Sequence, residues 1–425
     1  MDDPLESRDR VVIIGGGIIG LASAWWLDRR GVPCMVLDQS TPGDSASHGN
    51  AGQIVYGHPP LTRPGTSWRG LRWMFDDESP LLIRPRLSGD LLRWLWTFHR
   101  HCTSRHFDRC MEVLARLGWE TARGFDLMLE DGAIKCDWRP SGWLDVCLES
   151  ASLEEATTEI DHLAPFGYHG APIDGDALRA EDPAFTDEVA GAVRYEESAS
   201  LDPWAFMIAL RRVLSQRGVV FREGDGAGVE RIATREGRLE GVVLSTGEMI
   251  ASRRVVIAAG TWTGPLAATV GLDVPMEPAR GYHREILEMD PMPRLGGVLR
   301  ETYIAVTPMF DRLRLAGTLE LAGLDRPWSQ RRIDHLTRAA GRYLKGIPAA
   351  TLGEAWAGYR PCTPDGMPLI GEIPWMPGVV VATGHAMMGM TLGPITGRLV
   401  SETICDGQPS IENPLLRADR FGRVG

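Results

Sequence analysis

A glycine-rich turn near the N-terminus has the residue types and the spacing that bind phosphate groups. An apolar, β-branched run leads into Gly15, Gly17 and Gly20, which are spaced as GxGxxG. In such a turn the first glycine lets the chain bend, the second lets the backbone approach a pyrophosphate, and the third permits close packing of helix on strand. The amides at the start of the following helix would then face the anion.

Asp38 follows a second apolar stretch, Val32 to Leu37, and lies about twenty residues after the turn, at the spacing of a ribose-binding acid. Its carboxylate would accept hydrogen bonds from the adenosine ribose hydroxyls and would repel a 2′-phosphate. These features predict a bound dinucleotide that lacks this phosphate. A structural βαβ unit whose glycines are incidental is the alternative interpretation.

Length, charge and cysteine usage narrow the class of protein. A chain of 425 residues can form two domains with well-buried cores. The net charge of -11 argues against a nucleic-acid partner, because phosphate neutralisation needs a basic face. The seven cysteines have no CxxC or other metal-like spacing, so we expect reduced thiols, a cytoplasmic protein and no metal site.

The first apolar run has the wrong composition for a signal peptide or a membrane anchor. Glycines interrupt it, and the segment before it, MDDPLESRD, is acidic. No other stretch approaches the roughly twenty uninterrupted apolar residues that span a bilayer. We therefore expect a soluble protein that associates at most peripherally with the inner face of a membrane.

Elements of the dinucleotide-binding type occur at the start, in the middle and at the end of the chain. The middle element is an apolar strand that runs into AAGTWTG, and the last is Gly378 to Ala382 followed by TGHAMMGMTLGPITG. Between them, Met276 to Leu319 alternates as antiparallel strands do. This order predicts an α/β fold, with a Rossmann-like nucleotide domain of discontinuous segments and an inserted α+β substrate domain on a mixed, largely antiparallel sheet. The expected segments are 1–60, 200–275 and 350–425 for the first domain, and 61–199 and 276–349 for the second.

Several individual elements can also be predicted. Periodicity predicts single strands at Met249 to Ile257 and at Val298 to Thr307, a helix at Asp325 to Leu344, and amphipathic helix at Trp68 to Cys110. The polar stretch Gln39 to Gln53 is too long for a simple connection, which indicates a functional loop.

Six sequence blocks in order resemble one family of flavoenzymes. The blocks are GGGIIGLASAWWL, NAGQI, RWMF, AAGTWT, WAGYRPCTPDGMPLIG and TGHAMMGMTL. Together they are similar to the FAD-dependent D-amino-acid oxidase and dehydrogenase superfamily, and most of all to its bacterial D-amino-acid dehydrogenases, including D-hydroxyproline dehydrogenases. Glycine oxidase and sarcosine oxidase share the first and last blocks.

The resemblance implies which residues hold FAD. The ADP part of FAD would lie on the glycine turn and beside the ribose-binding acid. The pyrophosphate and the flavin ring would contact the NAGQI loop. The adenine and its ribose would contact the central strand, and the flavin C2 carbonyl would lie at the start of the last helix. The residues are Gly15, Gly17, Ile18, Ile19, Gly20, Asp38, Gln39 and Ser40; Ser47, Asn50, Ala51, Gly52 and Gln53; Val229, Ala259, Gly260 and Trp262; and Gly384, Met388, Gly389, Met390 and Thr391.

Oxidation of an amino acid by a flavin requires the substrate Cα hydrogen over flavin N5, a clamped carboxylate and a neutral amine, after which hydride transfers to N5. A bidentate arginine is the natural clamp. Arg360 stands at the position of the carboxylate-binding arginine in the enzymes that this chain resembles. Tyr56 matches a tyrosine of their substrate lid. A surface arginine and a packing tyrosine are the alternatives.

Three further side chains are candidates for the same site. Tyr282 and Tyr303 lie on strands that would roof the flavin, where a hydroxyl could bind the carboxylate or the amine, although both could equally pack in a core. His385 follows the last strand, at a place where the family brings side chains to the flavin. It would tune the ring or bind substrate, and a structural histidine is the alternative.

Two departures from the family pattern bear on specificity and on cofactor attachment. Glycine oxidase has a second arginine where this chain has Met387, which favours a neutral or cyclic substrate side chain. Sarcosine oxidases attach flavin through a cysteine where this chain has Gly358, and Cys362 lies too late to match. We therefore expect non-covalent FAD.

The leading hypothesis is an FAD-dependent dehydrogenase that oxidises a small D-amino acid, or a cyclic D-imino acid such as D-hydroxyproline, to the imine. Its electrons would pass to a quinone or to an electron-transfer protein. A glycine- or sarcosine-type oxidase that uses dioxygen is one alternative. A non-catalytic FAD-binding subunit is the alternative of another class.

Overall fold

The computed structural model describes residues 9–67, 77–130 and 132–424. Its strands, from the N-terminus, are β1 Val11–Ile14, β2 Cys34–Asp38, β3 Gln53–Val55, β4 Leu81–Ile83, β5 Trp143–Cys147, β6 Gly170–Asp174, β7 Gly191–Tyr195, β8 Ser198–Ser200, β9 Val220–Glu223, β10 Val229–Arg235, β11 Arg238–Leu244, β12 Met249–Ala251, β13 Val255–Ile257, β14 Glu277–Leu287, β15 Gly297–Leu299, β16 Ile304–Pro308, β17 Arg312–Leu321, β18 Thr351–Cys362, β19 Leu369–Glu372 and β20 Val379–Thr383. The α-helices are α1 Ile18–Asp28, α2 Gly89–His101, α3 Ser104–Leu129, α4 Ser150–Leu163, α5 Gly175–Glu181, α6 Pro203–Gln216, α7 Thr263–Ala268, α8 Gln330–Ala340 and α9 Gly389–Asp406.

A six-stranded sheet joins the two ends and the middle of the chain. Its order is β19-β20-β13-β1-β2-β9, and all neighbours are parallel except β19 and β20. The central strands are short valine and isoleucine runs that are buried along their whole length, as expected for parallel strands covered on both faces. Helices α1, α6 and α9 cover one face. Glycine lets two of these helices approach closely, since a Cβ on Gly397 of α9 would lie 2.4 Å from the Ala22 carbonyl oxygen of α1.

The second large sheet has nine strands, in the order β18-β14-β17-β16-β15-β5-β7-β6, with β4 paired to β17. Among the described strands of this sheet, β15 with β5 and β17 with β4 run parallel, and the other pairs are antiparallel. Helix α8 packs on it and contributes Ile333 and Leu336 to a core that includes Ile286 and Leu315. The two sheets confirm the predicted fold class, a discontinuous α/β domain with an inserted α+β domain on a mixed, largely antiparallel sheet.

The structure corrects several individual elements. Val298 to Thr307 is a hairpin of β15 and β16 rather than one strand, because the chain turns at Thr302 and Tyr303, where Tyr303 has φ 53°. Met249 to Ile257 is likewise two strands, β12 and β13, which pair in different sheets. The helix predicted at Asp325 to Leu344 is shorter, since α8 ends ten residues after it begins at Gln330.

Strand β18 falls inside the predicted segment 350–425 but pairs with β14 in the nine-stranded sheet, so the exact bounds of the two domains stay a prediction. The RWMF block and the first part of the helical region predicted from Trp68 lie outside the described residues. Within the described part of that region, the prediction of helix is wrong at Leu81–Ile83, which forms strand β4 on the nine-stranded sheet, whereas helix α2 and the first residues of α3 agree with it.

Candidate functional site

A cleft opens where the carboxyl ends of β1, β13 and β20 face the edge of the nine-stranded sheet. This is the place where open α/β sheets bind ligands. Most of the residues predicted to bind the cofactor line it: Gly15, Gly17, Ile18, Ile19, Asp38, Gln39, Ser40, Ser47, Asn50, Val229, Ala259, Gly260, Trp262, Gly389 and Met390. Arg360 and His385 line it as well.

The glycine turn has the geometry that a phosphate-binding turn needs. Gly15 has φ 113°, and a Cβ there would lie 2.3 Å from the Ala258 carbonyl oxygen. A Cβ on Gly20 would lie 1.9 Å from the Gly15 carbonyl oxygen, so Gly20 lets α1 pack closely on the turn rather than lining the cleft. Gly17 would place a Cβ within 4 Å of one atom alone, Ser47 Oγ, which accepts a hydrogen bond from the Ile18 amide. The cradle is therefore open to a ligand on its outer side.

Asp38 ties the turn to the loop that follows β2. Its Oδ2 accepts a hydrogen bond from the Gly16 amide at 2.6 Å, and its Oδ1 accepts one from the Ser40 amide at 2.8 Å. The carboxylate still lines the cleft beside Gln39 and Val229, where each oxygen has a second lone pair to offer. This arrangement fits the ribose of a dinucleotide.

The loop after β2 is held from the opposite domain by two buried side chains that sequence reasoning missed. Arg314 Nη1 donates to the carbonyl oxygens of His48 and Asn50, at 3.3 and 2.9 Å. His283 Nδ1 lies 2.8 Å from the Gly49 carbonyl oxygen. Arg314 is also paired with Glu285 at 2.7 Å. Both side chains belong to strands that carry several charged residues, so residue type alone did not single them out.

The remaining loop residues support the loop instead of lining the cleft. Gly52 donates its amide to Asn50 Oδ1, and a Cβ on Gly52 would lie 2.4 Å from the Leu201 carbonyl oxygen. Gln53 Nε2 donates to the carbonyl oxygens of Gly297 and Val306. Ala51, Gly384, Met388 and Thr391 also lie outside the cleft lining.

Arg360 projects from β18 into the cleft. Its Nη1 donates to the Thr318 carbonyl oxygen at 3.0 Å. No carboxylate of the described residues pairs with it, and burial lowers the pKa of its guanidinium from the ordinary value. The side chain is therefore a cation that lacks an anionic partner among the described residues.

His385 lies just after β20, where it pairs with Cys362 at the end of β18, and is 2% exposed. Its Nε2 lies 2.9 Å from Thr396 Oγ1. Burial lowers the pKa of His385 to about 3, so its ring is neutral at physiological pH. Arg360 thus carries the positive charge at this part of the cleft.

None of the three candidate tyrosines lines the cleft. Tyr282 is buried under the sheet, where its hydroxyl donates to Glu320 Oε2 at 2.5 Å. Tyr303 is 46% exposed in the turn of the β15–β16 hairpin. Tyr56 is half-buried beside Trp119, with 6.2 Å between the ring centroids. Their roles in substrate binding stay predictions without support from their positions.

Strand β18 also brings the aromatic residues Trp356 and Tyr359 to the cleft, and neither was predicted. A Cβ on Gly49 or on Gly358 would lie 2.2 Å from the Trp356 ring, so both glycines make room for it. Tyr359 donates its hydroxyl to the Leu324 carbonyl oxygen at 2.6 Å and accepts from Arg280. The period-2 pattern of WAGYR places alternate residues on one face, which could have indicated Trp356 as a neighbour of Arg360.

The turn, the acid and the divided parallel sheet together define a dinucleotide-binding protein of the α/β class. Comparison with known proteins specifies the class further. Residues 10–403 match the DAO family, described as FAD dependent oxidoreductases. The chain is 33% identical to a D-amino acid dehydrogenase of Cereibacter sphaeroides over 98% of this chain and 96% of that protein. It is 30% identical to a D-amino acid dehydrogenase of Xylella fastidiosa (strain M12) over 93% of this chain and 92% of that protein.

Solved structures show the same fold at low sequence identity. Glycine oxidase from Bacillus cereus superposes with a TM-score of 0.75 at 20% identity, over 96% of this chain and 97% of that one. L-proline dehydrogenase from P. horikoshii gives a TM-score of 0.72 at 17% identity, over 97% and 98%. The chain belongs to the DAO family of FAD dependent oxidoreductases. The predictions of this family, of an oxidoreductase and of FAD as cofactor are confirmed.

Proposed function

We propose that this chain is an FAD-dependent dehydrogenase that oxidises a small D-amino acid, or a cyclic D-imino acid such as D-hydroxyproline, to the imine. The observation that carries the proposal is Arg360, whose guanidinium lines the cleft without a carboxylate partner among the described residues. Arg360 is partly buried, and a partly buried cation without an anion is unfavourable, so the site favours a ligand that brings its own carboxylate. The sequence relatives named D-amino acid dehydrogenase agree with this class of substrate.

FAD, when bound, supplies a ring that accepts hydride from the substrate Cα. The residues of the chain hold and orient the reactant. Arg360 would bind the carboxylate through two parallel hydrogen bonds, which fixes both the position and the plane of that group. The neutral His385 adds no second positive charge that would compete for the carboxylate.

An apolar wall of the cleft supports a substrate with a neutral or cyclic side chain. Ala386 and Met387 follow His385 and line the cleft, and Met387 is 39% exposed. Methionine adapts to irregular apolar shapes but offers no charge to a substrate side chain. A carboxylate or ammonium on the substrate side chain would lose hydration here without gaining a partner.

FAD is held without a covalent bond in this proposal. Gly358 has no nucleophilic atom, and the Trp356 ring fills the space that a side chain at position 358 would need. The Cys362 thiol is buried, and burial raises its pKa to about 12, so it is not a thiolate at physiological pH. Denaturation of the purified protein should therefore release all of the flavin into solution.

An exposed face of α2 supports a membrane-dissolved electron acceptor such as a quinone. Leu92 and Trp96 are one turn apart and are 64% and 65% exposed, and Leu87 just before the helix is fully exposed. The basic side chains Arg100 and Arg105 are exposed nearby. Apolar and basic residues together are typical of helices that lie in a membrane surface.

Among the described helices, none is long and apolar enough to cross a bilayer. A quinone at a peripheral contact fits this face better than a water-soluble electron-transfer protein does.

The test is an anaerobic screen in which candidate substrates are mixed with the holoenzyme and the visible absorbance of the flavin is followed. D-alanine, D-proline and cis- and trans-hydroxy-D-proline should bleach the flavin, whereas their L-enantiomers should not. Glycine and sarcosine test the oxidase alternative. A flavin that none of these compounds bleaches would support the non-catalytic subunit instead.

Reoxidation of the reduced enzyme separates a dehydrogenase from an oxidase. After bleaching by D-alanine or D-proline, the flavin should stay reduced for minutes in air-saturated buffer and reoxidise within seconds when a soluble quinone is added. Rapid reoxidation in air with formation of hydrogen peroxide would show an oxidase.

A further inference from the structure

The guanidinium of Arg360 lies directly against the backbone of Gly281 on β14. A Cβ on Gly281 would lie 1.8 Å from Arg360 Nη1 and 2.3 Å from its Cζ. Carbon and nitrogen atoms that are not bonded approach to about 3.5 Å, so any side chain at position 281 would displace the guanidinium. Gly281 is not among the glycines with positive φ, so its backbone conformation does not require glycine. Position 281 requires a glycine because a side chain there would collide with the guanidinium.

The second contact of the guanidinium comes from a β-bulge in β17. Arg280 of β14 faces Glu320, and Tyr282 faces Gly317. Between these pairs β14 has one residue and β17 has two, Thr318 and Leu319. A bulge of this kind redirects backbone groups locally. Here it accompanies the Thr318 carbonyl oxygen that accepts from Arg360 Nη1 at 3.0 Å.

Thr318 occupies the bulge at a conformational cost. Its φ is +59°, in the left-handed region that β-branched residues rarely adopt. No hydrogen bond of its side chain offsets this strain, since Oγ1 is buried without a hydrogen-bond partner among the described residues. Strained residues of this kind persist where the surrounding structure determines their conformation, and they cluster at ligand sites.

We propose that Gly281 and Thr318 form a seat that fixes the plane and the direction of the Arg360 guanidinium. They are positioning residues for the substrate carboxylate. The inference rests on the proposed function, in which Arg360 binds that carboxylate. A guanidinium has five N–H donors. Because the seat uses one of them on the Thr318 carbonyl, four remain for a carboxylate that approaches from the cleft.

The direct test is Gly281→Ala in the FAD-loaded enzyme, with propionate as the probe. Propionate is D-alanine without its amine, so it binds as a carboxylate and does not react. Its dissociation constant can be read from the change in flavin absorbance. We expect about a tenfold or greater rise, the cost of replacing a charged bidentate contact by a poorly aligned one, with unchanged FAD content. Gly341→Ala is the matched control, because a Cβ there meets nothing nearer than 3.5 Å.

A double-mutant cycle shows whether Gly281 acts through Arg360. Propionate binding is measured for Gly281→Ala, Arg360→Ala and the double variant. If the seat acts only through the guanidinium, Gly281→Ala should weaken binding in the wild-type background and have no further effect once Arg360 is removed. Additive effects, or wild-type binding in Gly281→Ala, would overturn the seat. Wild-type binding in Arg360→Ala would instead overturn the proposed function.

A second measurement keeps the inference testable if Gly281→Ala fails to load FAD. Free guanidinium at low millimolar concentration is added to Arg360→Ala, with ammonium as the control cation. A seat that recognises the guanidinium itself should bind the free ion and restore part of the propionate affinity, whereas ammonium should not. Equal effects of the two ions would contradict the seat.

Discussion

Arg360 and His385 both line the cleft, and burial lowers the pKa of both. The two side chains differ in charge after this shift, because the ordinary pKa of arginine is far higher than that of histidine. Arginine starts so high that it keeps its charge, whereas histidine becomes neutral. One fixed cation therefore remains for a carboxylate over the whole physiological pH range.

The neutral state of His385 predicts how stability depends on pH. Its pKa is about 3 in the folded protein and about 6.5 when unfolded. Between these values the unfolded chain binds the proton and the folded chain does not, so stability falls as the pH decreases through 6.5. From pH 8 to pH 5 the loss is about 2 kcal/mol from this group. Urea unfolding at both pH values should show a smaller loss in His385→Gln than in the wild type.

The exposed His162 on α4 provides the control for that comparison. His162→Gln should keep the full pH-dependent loss of stability. An identical loss in His385→Gln and in the wild type would show that His385 is not held neutral by burial.

Most residues predicted for the cofactor line the cleft, whereas the three tyrosines predicted for the substrate do not. Gly15, Gly20 and Asp38 follow from local rules, because a turn and its helix lie within one short segment. Arg314 and His283 contact a loop more than 230 positions away in the chain. No local pattern encodes a contact of that separation, so their roles could not be predicted.

At the scale of elements, the contact of α1 with the glycine turn determines whether the cradle forms. A methyl group at position 20 would lie 1.9 Å from the Gly15 carbonyl oxygen, which is backbone and cannot move aside without opening the turn. We expect Gly20→Ala to lose most bound FAD and about 1–3 kcal/mol of stability. Gly89→Ala at the start of α2 is the control, since a Cβ there has no atom of the described residues within 4 Å. Wild-type FAD content in Gly20→Ala would contradict the close packing.

Helix α2 supplies a second prediction at this scale. If its outer face contacts a membrane surface, the protein should float with vesicles that contain anionic lipid and much less with neutral ones. Leu92→Glu and Trp96→Glu should abolish flotation, because each places a carboxylate where an apolar side chain would enter the lipid. Leu127→Glu, an exposed leucine on α3, should leave flotation unchanged. Equal flotation of all variants would remove α2 as the contact.

The hairpin of β15 and β16 shows where element prediction fails. Val298 to Thr307 alternates well enough for one long strand, but Tyr303 takes a positive φ and the chain reverses there. Non-glycine residues seldom adopt that conformation, so the residue types do not predict a turn at this position. Strands β1, β13 and β20 were easier to predict because buried parallel strands are continuous apolar runs.

At the scale of the whole molecule, two sheets from interleaved segments build one cleft. The cofactor end comes from β1, β2 and β13 of the six-stranded sheet, and Arg360 comes from β18 of the other. Sequence order predicted the division of the nucleotide domain. It did not predict that β18 pairs with β14, because strand pairing between distant segments is decided by packing in three dimensions.

The central claim is that Arg360 binds the substrate carboxylate beside the flavin, and anaerobic flavin bleaching tests it most directly. Wild-type and Arg360→Ala holoenzymes are titrated with the D-amino or D-imino acid that bleaches the wild type, and the half-saturating concentration is measured. Loss of a charged bidentate contact should raise that concentration by about a hundredfold or more. The FAD content should stay unchanged, because Arg360 does not belong to the glycine cradle. Equal half-saturation in the two proteins would contradict the account.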